Sequence, residues 1–170
     1  YYHKANVPPA RYHIVSTLEA GKEFISKVGY PVVVKPNNGV GSSATWKIRN
    51  DSELEDFYKI QLPHEYIMEE YVPGYILSFD GIVDENNKIV YRTCHVLPNP
   101  VMEIVNGKTD CSFWNEIEIP KDLNQMGERL IHAFNLRSRF FHTEYFRMTE
   151  DKEGLGKKCY LIGLEVNIRP

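Results

Sequence analysis

Two segments in the first third of the chain carry the apolar spacing of helices. Residues 18–28 place their Leu, Phe, Ile and Val side chains on one helical face, and the glycine that follows is typical of a helix end. Ser16, with Glu19 three positions later, predicts a capping box at the start of this helix. An equivalent pair, Asn50 and Glu53, predicts a second, short helix.

Strand patterns surround these helices and dominate the rest of the chain. The β-branched run 32–35 and the segment 44–48 flank a polar loop at 37–43, which predicts a hairpin with a glycine-bearing tip. Further aromatic and β-branched runs are separated by short turns, and they predict strands at 66–72, 75–83, 88–96, 139–149 and 158–168, with one helix at 123–134. Hairpins rather than βαβ units indicate an α+β fold and disfavour a Rossmann-type sheet.

Composition narrows the class of protein. The 170 residues include 20 Lys and Arg against 23 Asp and Glu, so the net charge is 20 − 23 = −3. With 42% apolar residues the chain can form a core, and its slight acidity disfavours non-specific nucleic-acid binding. No segment approaches the roughly 18 apolar residues of a membrane span, so we expect a cytoplasmic protein.

The cysteines and the chain ends add two smaller expectations. Cys94, Cys111 and Cys159 lie far apart without a CxxC pair, which predicts neither a disulfide framework nor a zinc site. The chain starts at a tyrosine and stops directly after a strand-like run, so we expect it to be part of a longer protein.

Lys35 is the first candidate for chemistry. It ends an otherwise apolar strand, where an ammonium group costs desolvation unless it meets an anion or water. The loop that follows contains Gly39, Gly41, Ser42 and Ser43, whose small side chains would let backbone N–H groups approach phosphate oxygens. The spacing fits neither a Walker nor a dinucleotide motif. The alternative is a lysine that reaches water at the end of a sheet, beside an ordinary hairpin tip.

A second candidate lies in the last two predicted strands. Side chains alternate along a strand, so Glu165 and Asn167 share one face, and Arg169 continues it. If Glu144 on the neighbouring strand lies opposite them, three oxygen groups converge in the manner that Mg²⁺ prefers when it also binds phosphates. The alternative is a solvated face with unremarkable charges.

The third candidate is the segment Tyr66–Gly74. Glu69 and Glu70 stand at a strand end before Pro73-Gly74, where backbone groups could contact a flat heterocycle while Ile67, Met68 or Val72 packs on it. Taken by itself, the segment also fits an ordinary strand, turn and strand.

In their order and approximate spacing, these motifs resemble the ATP-grasp superfamily over residues 28–170. The resemblance is strongest to carboxylate–amine ligases such as biotin carboxylase, the carbamoyl-phosphate synthase large chain and phosphoribosylglycinamide-type synthetases. It implies two α+β subdomains whose antiparallel sheets clasp a nucleotide. The small, lid subdomain would be 1–70 and the large, metal-binding subdomain 71–170, with a substrate domain and a C-terminal remainder outside this chain.

The resemblance also implies roles for individual residues. Lys35 would contact the α- and β-phosphates, the loop would fold over the triphosphate, and the backbone at residues 70–72 would meet adenine. The implied ATP-binding residues are Lys35, Gly39, Gly41, Ser42, Ser43, Glu69, Glu70, Tyr71 and Val72. The implied metal ligands are Glu144, Glu165 and Asn167, and the implied catalytic residues are Arg169 and Lys35.

The implied activity is ATP-dependent activation of a carboxylate, or of bicarbonate, as an acyl phosphate that an amine then attacks to form a carbon–nitrogen bond. The implied cofactors are ATP and Mg²⁺, with Mn²⁺ as a substitute, and the implied partners are small substrates rather than nucleic acid or membrane. A homodimer would form through regions outside this chain. His95 and Glu103 lie in the region where relatives bind acceptor substrates.

One departure keeps other functions open. Ile76 stands where the family often places a glutamate that binds ribose. This change would suit a non-catalytic ATP-binding regulatory module, while the paired carboxylates favour an enzyme. A kinase-like phosphotransferase would also use a strand lysine and metals, but the kinase motifs are missing. A stripe of arginine and phenylalanine residues between 129 and 147 would be the basis of nucleic-acid binding, the least favoured alternative.

Overall fold

The structure, a computed structural model, describes residues 1–37, 44–60, 65–99, 110 and 112–168. The helices in these ranges are α1 (Leu18–Val28), α2 (Asp51–Tyr58) and α3 (Lys121–Phe134). The strands are β1 (Tyr12–Ile14), β2 (Val32–Pro36), β3 (Trp46–Ile48), β4 (Tyr66–Glu70), β5 (Gly74–Val83), β6 (Ile89–Thr93), β7 (His95–Leu97), β8 (Trp114–Asn115), β9 (Arg139–Met148) and β10 (Leu161–Asn167).

The elements divide between two compact units. In the described ranges, the small unit comprises residues 10–37, 44–60 and 65–72, and the large unit comprises residues 1–9, 73–99, 110 and 112–168. The first nine residues therefore lie with the large unit, whereas the sequence analysis assigned them to the subdomain 1–70. Their anchor is Gly163 on β10, whose N–H donates to the Pro8 carbonyl at 2.8 Å.

The small unit is a four-stranded antiparallel sheet in the order β1-β4-β2-β3. Helices α1 and α2 pack on one face of this sheet, where Val32, Val34 and Met68 are fully buried. The alternate positions of the same strands carry Val33, Lys35, Ile67 and Glu69 and are only partly buried. This second face, which we call the open face of the small unit, follows directly from the two-residue period of a strand.

The helix starts show where local sequence decides and where it does not. Asn50 caps α2 as predicted, with its side chain accepting from the Glu53 N–H at 2.9 Å. At α1 the capping residue is Thr17, whose hydroxyl accepts from the Ala20 N–H at 3.2 Å, so the predicted Ser16 capping box is wrong by one position. The end of α1 at Gly29, which has a φ of 75°, is as predicted.

The large unit contains a six-stranded sheet in the order β10-β9-β5-β7-β8, with β6 also paired to β5. Helix α3 covers one face, where Phe79, Leu130 and Tyr145 are fully buried. The predicted strand 88–96 is divided into β6 and β7 at Cys94, whose carbonyl accepts from the Glu116 N–H at 3.0 Å. All strand pairings in both sheets are antiparallel, which confirms the α+β class.

Helix α3 and the strands beneath it account for three members of the stripe of arginines and phenylalanines. Phe141 belongs to the buried core. Arg147 forms a bidentate ion pair with Asp122, and Arg129 donates from its Nε to the Ala5 carbonyl at 3.0 Å. These side chains have structural partners.

None of the helices in the described ranges is long and apolar enough to cross a membrane.

Gly127 in α3 provides a test of this packing. A Cβ atom at this position would lie 2.3 Å from Cδ1 of the buried Phe79 ring. Alanine favours a helix over glycine by about 1 kcal/mol, but overpacking costs about 1–3 kcal/mol, and at this distance the clash outweighs the helix preference. Gly127→Ala should therefore lower the unfolding temperature measured by calorimetry. The exposed Gln125→Ala on the same helix is the control, and an equal or higher unfolding temperature for Gly127→Ala would contradict the packing argument.

Candidate functional site

Lys35 lies on the open face of the small unit and is paired with Glu69. Its Nζ is 2.7 Å from Glu69 Oε2, and the two side chains are 28% and 20% exposed. The register explains the contact, because Lys35 pairs with Ile67 and Val33 pairs with Glu69, so that the two charged side chains are diagonal neighbours on one face. The lysine thus has a carboxylate partner close to the surface. An anionic ligand could replace the Glu69 carboxylate as the partner of Lys35.

Glu70 projects to the opposite, buried face of the same sheet. Its side chain is 0% exposed and accepts three bonds from Arg11, from the backbone N at 2.8 Å, Nε at 3.0 Å and Nη2 at 2.7 Å. Nη1 of Arg11 also donates to the Lys27 carbonyl at 3.3 Å, at the end of α1. The Glu70 carboxylate therefore links β4 to Arg11, which precedes β1. A nucleotide at Glu70 would contact its backbone rather than its side chain.

The rest of the predicted hinge segment is held by its backbone and by a ring contact. The Tyr71 N–H donates to the Pro31 carbonyl at 3.3 Å, and Lys47 Nζ lies 4.0 Å from the centre of the Tyr71 ring. Val72 is buried and is the last residue in the described part of the small unit. Met68 packs into the core on the helix side, so the expectation that it could cover a heterocycle is wrong, and Ile67 is the residue of this strand on the open face.

In the large unit, cross-strand register assembles a row of polar side chains on the sheet face away from α3. Ser78 of β5 pairs with Glu144 of β9, which pairs with Glu165 of β10. A second row, two residues further along β5, joins Asp80, His142 and Asn167 in the same way. Directly paired residues share a face, so these six side chains form one surface, which we call the polar face.

A bulge in β10 sets this arrangement. Gly163 pairs with Tyr145 and Glu165 pairs with Glu144, so Leu164 is an extra residue without a partner in the ladder. Without it, Leu164 would stand opposite Glu144, and Glu165 would be displaced along the strand. The bulge thus produces the juxtaposition on which the predicted metal site depends.

The donors on the polar face suit a hard cation that also binds a ligand of its own. Glu144 and Glu165 supply carboxylate oxygens and Asn167 an amide, which are the donor types that Mg²⁺ prefers. In the described ranges, no group of three or more His, Cys, Asp and Glu side chains is placed to hold a metal ion. Two carboxylates and an amide are fewer ligands than Mg²⁺ takes, so an ion held by them would need further oxygen ligands.

Beside these donors, Asp80 contacts three side chains. Its Oδ1 contacts Nδ1 of His142, and its Oδ2 accepts from the Ser78 hydroxyl and contacts Nδ1 of His95 at 2.8 Å. Nε2 of His142 is 3.2 Å from Glu144 Oε1. Burial alone would raise the pKa of Asp80, but the bonds from His142, Ser78 and His95 outweigh it and lower that pKa. Bonds to Asp80 and Glu144 raise the pKa of His142 to about 10.

Several predicted site residues lie outside the described residues. They are Gly39, Gly41, Ser42 and Ser43 of the loop, Glu103, and the C-terminal Arg169. Ile76, at the position linked to ribose binding, is 3% exposed.

These features can be compared with known proteins. The sequence model of the ATP-grasp domain matches residues 3–137 of the chain. The chain belongs to the ATP-grasp family. The solved structure of carboxyaminoimidazole ribonucleotide synthase from Aspergillus clavatus, complexed with ATP, superposes on 97% of this chain with a TM-score of 0.74 at 10% identity. The ATP-grasp fold expected from the sequence is thereby confirmed.

Curated relatives confirm the resemblance to carboxylate–amine ligases. A carbamoyl phosphate synthase large chain from Agathobacter rectalis is 30% identical over 94 residues, which is 51% of this chain and 8% of that protein. D-alanine–D-alanine ligase A from Clostridium perfringens is 40% identical over 72 residues, which is 41% of this chain and 24% of that protein. The chain also covers 41% of the Aspergillus synthase, so it matches less than half of each of these ATP-grasp relatives.

Three residues of this site escaped the sequence analysis. Arg11 precedes the first strand, in a segment without a predicted element, and its partner is 59 residues away. Asp80 and His142 carried a weak signal, because each is two positions from another polar residue of its strand, Ser78 and Glu144 respectively. Period-two polar pairs of this kind mark one face of a strand, but they do not show which strands are neighbours.

The Arg11–Glu70 pair provides a test of the small unit. Arg11→Met leaves the fully buried carboxylate without its guanidinium, which should cost about 3 kcal/mol in the free energy of unfolding. Arg49→Met is the matched control, since Arg49 pairs with Glu53 on the surface and such pairs contribute at most about 1 kcal/mol. Urea unfolding of both variants measures the difference. Equal losses would show that Glu70 does not depend on Arg11.

Proposed function

We propose that this chain is the ATP- and Mg²⁺-binding part of a ligase that activates a carboxylate, or bicarbonate, as an acyl phosphate. An amine or a similar nucleophile would then displace the phosphate and form a carbon–nitrogen bond, with ADP and phosphate released. The observation that carries the proposal is the direct cross-strand pairing of Glu144 with Glu165, next to Asn167, on the polar face. Membership of the ATP-grasp family supports it.

The paired carboxylates favour a cation for a physical reason. Like charges directly opposite each other on neighbouring strands repel, and this repulsion destabilises a sheet. A divalent cation held by Glu144, Glu165 and Asn167 would remove that cost and would supply positive charge to the β- and γ-phosphates of ATP. The side chains themselves would fix the cation, and through it the position of the γ-phosphoryl group.

Lys35 would neutralise charge elsewhere on the triphosphate. In the structure its ammonium group is paired with Glu69, so a phosphate oxygen would have to replace that carboxylate. Electrostatics favours the exchange, because a phosphate carries more charge than a carboxylate and both accept charge-assisted hydrogen bonds. The backbone of residues 70–72 would contact adenine, the loop of residues 39–43 would cover the phosphates, and Arg169 would stabilise the transferring group or its acceptor.

The chemistry then needs no side-chain nucleophile. An oxygen of the substrate carboxylate would attack the γ-phosphorus as the bond to the β,γ-bridging oxygen breaks, which leaves ADP and an acyl phosphate. The amine nitrogen would next attack the acyl carbon, and inorganic phosphate would leave while the amine loses a proton. Orientation and charge stabilisation would supply the rate enhancement.

A second candidate is a non-catalytic module in which ATP binding regulates another part of a longer protein. Ile76 favours it, because a buried apolar side chain stands at the position linked to ribose binding. The two functions differ in products. Incubation with ATP, Mg²⁺ and a panel of acids and amines should release ADP and phosphate for a ligase and neither for a regulatory module.

Lys35→Ala tests the phosphate role. Loss of the charge-assisted contact should weaken ATP binding about 10- to 100-fold, measured by calorimetric titration with Mg²⁺ present. Lys88→Ala, a change of the same type in the turn before β6, should bind ATP like the parent chain. Unchanged ATP affinity in Lys35→Ala would remove Lys35 from the phosphate site.

Glu165→Gln tests the metal role. The substitution keeps the size of the side chain and removes one of the two paired charges, so turnover of ATP should fall by about 100-fold or more while nucleotide binding is largely kept. Release of ADP and phosphate measures turnover, and the exposed Glu118→Gln is the control for loss of a carboxylate. Turnover at the parent rate in Glu165→Gln would refute the metal assignment.

A further inference from the structure

His142 occupies a bridging position on the polar face of the large unit. One ring nitrogen, Nδ1, contacts Oδ1 of Asp80 on β5, and the other, Nε2, lies 3.2 Å from Oε1 of Glu144, two residues away on its own strand. From β10, Asn167 is its directly paired neighbour. With a carboxylate at each nitrogen, the ring can serve both only by donating from both. Each contact therefore fixes the orientation of the other.

Asp80 is itself held in a way that leaves one oxygen for His142. Its Oδ2 is engaged by the Ser78 hydroxyl and by His95, while Oδ1 faces His142. The Asp80 side chain is 15% exposed, so its position is set by these bonds more than by solvent. Asp80 is thus fixed by its own hydrogen bonds, and it fixes His142, which contacts Glu144.

We propose that Asp80 and His142 are positioning residues that hold Glu144 Oε1 and so orient the Glu144 carboxylate toward a divalent cation. The inference rests on the proposed function, because it takes Glu144 as a ligand of the cation that binds with ATP. Partners of this kind, one shell behind the ligands, commonly change metal affinity by about 10- to 100-fold when they are removed. Neither residue touches the nucleotide in this scheme.

Two substitutions of His142 separate positioning from charge. The amide nitrogen of Asn reproduces the location of Nδ1, and that of Gln reproduces the location of Nε2. His142→Asn therefore keeps the contact with Asp80 and loses the one with Glu144, whereas His142→Gln keeps a donor to Glu144. Both variants replace the imidazole by a neutral amide, so any effect of the ring's charge on cation binding is the same in both.

The experiment measures Mn²⁺ binding to the full chain by electron paramagnetic resonance of free Mn²⁺, with a non-hydrolysable ATP analogue present. We expect His142→Asn to bind Mn²⁺ about 10- to 100-fold more weakly than the parent chain, and His142→Gln to stay within about threefold of it. Equal affinities in the two variants would overturn the inference. Thermal unfolding without ligands checks that both variants are folded. Polar replacements should be tolerated, because the His142 side chain is 39% exposed.

Asp80→Asn provides a second test that does not alter His142. It should weaken Mn²⁺ binding about tenfold, and the exposed Glu150→Gln, with the same loss of charge in the same unit, should leave it unchanged. Unchanged binding in Asp80→Asn would overturn the role of Asp80 even if the His142 variants did not fold. If the parent chain binds neither Mn²⁺ nor the analogue, the proposed function itself fails, and that outcome is distinct from equal binding by parent and variants.

Discussion

Two glutamates in direct cross-strand register, one on β9 and one on β10, are the feature on which the polar face of the large unit depends. Glu144 and Glu165 owe their juxtaposition to the pairing of β9 with β10 and to the bulge at Leu164. Their repulsion must be offset by charge from elsewhere, and His142, which bridges Asp80 and Glu144, supplies part of it. In the proposed function, a divalent cation would supply the remaining positive charge.

Packing on the apolar side of the same sheet holds the paired glutamates in place. Phe79 and Tyr145 are fully buried beneath α3, and Gly127 allows the helix to approach the Phe79 ring closely. Burial of these side chains stabilises β5 and β9 in one register, because a shift by one residue would exchange the buried and polar faces. The polar residues at alternate positions are therefore held in place by packing on the opposite, apolar face of the sheet.

The small unit shows the same division between its two faces. Glu70 is buried on the helix side and held by Arg11, while Glu69, one residue earlier, lies on the open face with Lys35. In the sequence the two glutamates look alike, as members of one predicted ATP-binding segment. Strand alternation gives them opposite surroundings. Glu70 stabilises the unit through Arg11, whereas Glu69 is the partner of Lys35, which a phosphate would displace in the proposed function.

Much of this protein can be predicted from local sequence: the capped start of α2 at Asn50, the end of α1 at Gly29, the hairpin of β2 and β3, and the motif order that matches the ATP-grasp family. These follow from neighbours along the chain, whose physical preferences act over a few residues. Long-range pairing decided the rest. The bulge at Leu164, the bond of Arg11 to Glu70 and the link from Asp80 to His142 join residues up to 62 positions apart, and only the packed sheets determine which strands lie side by side.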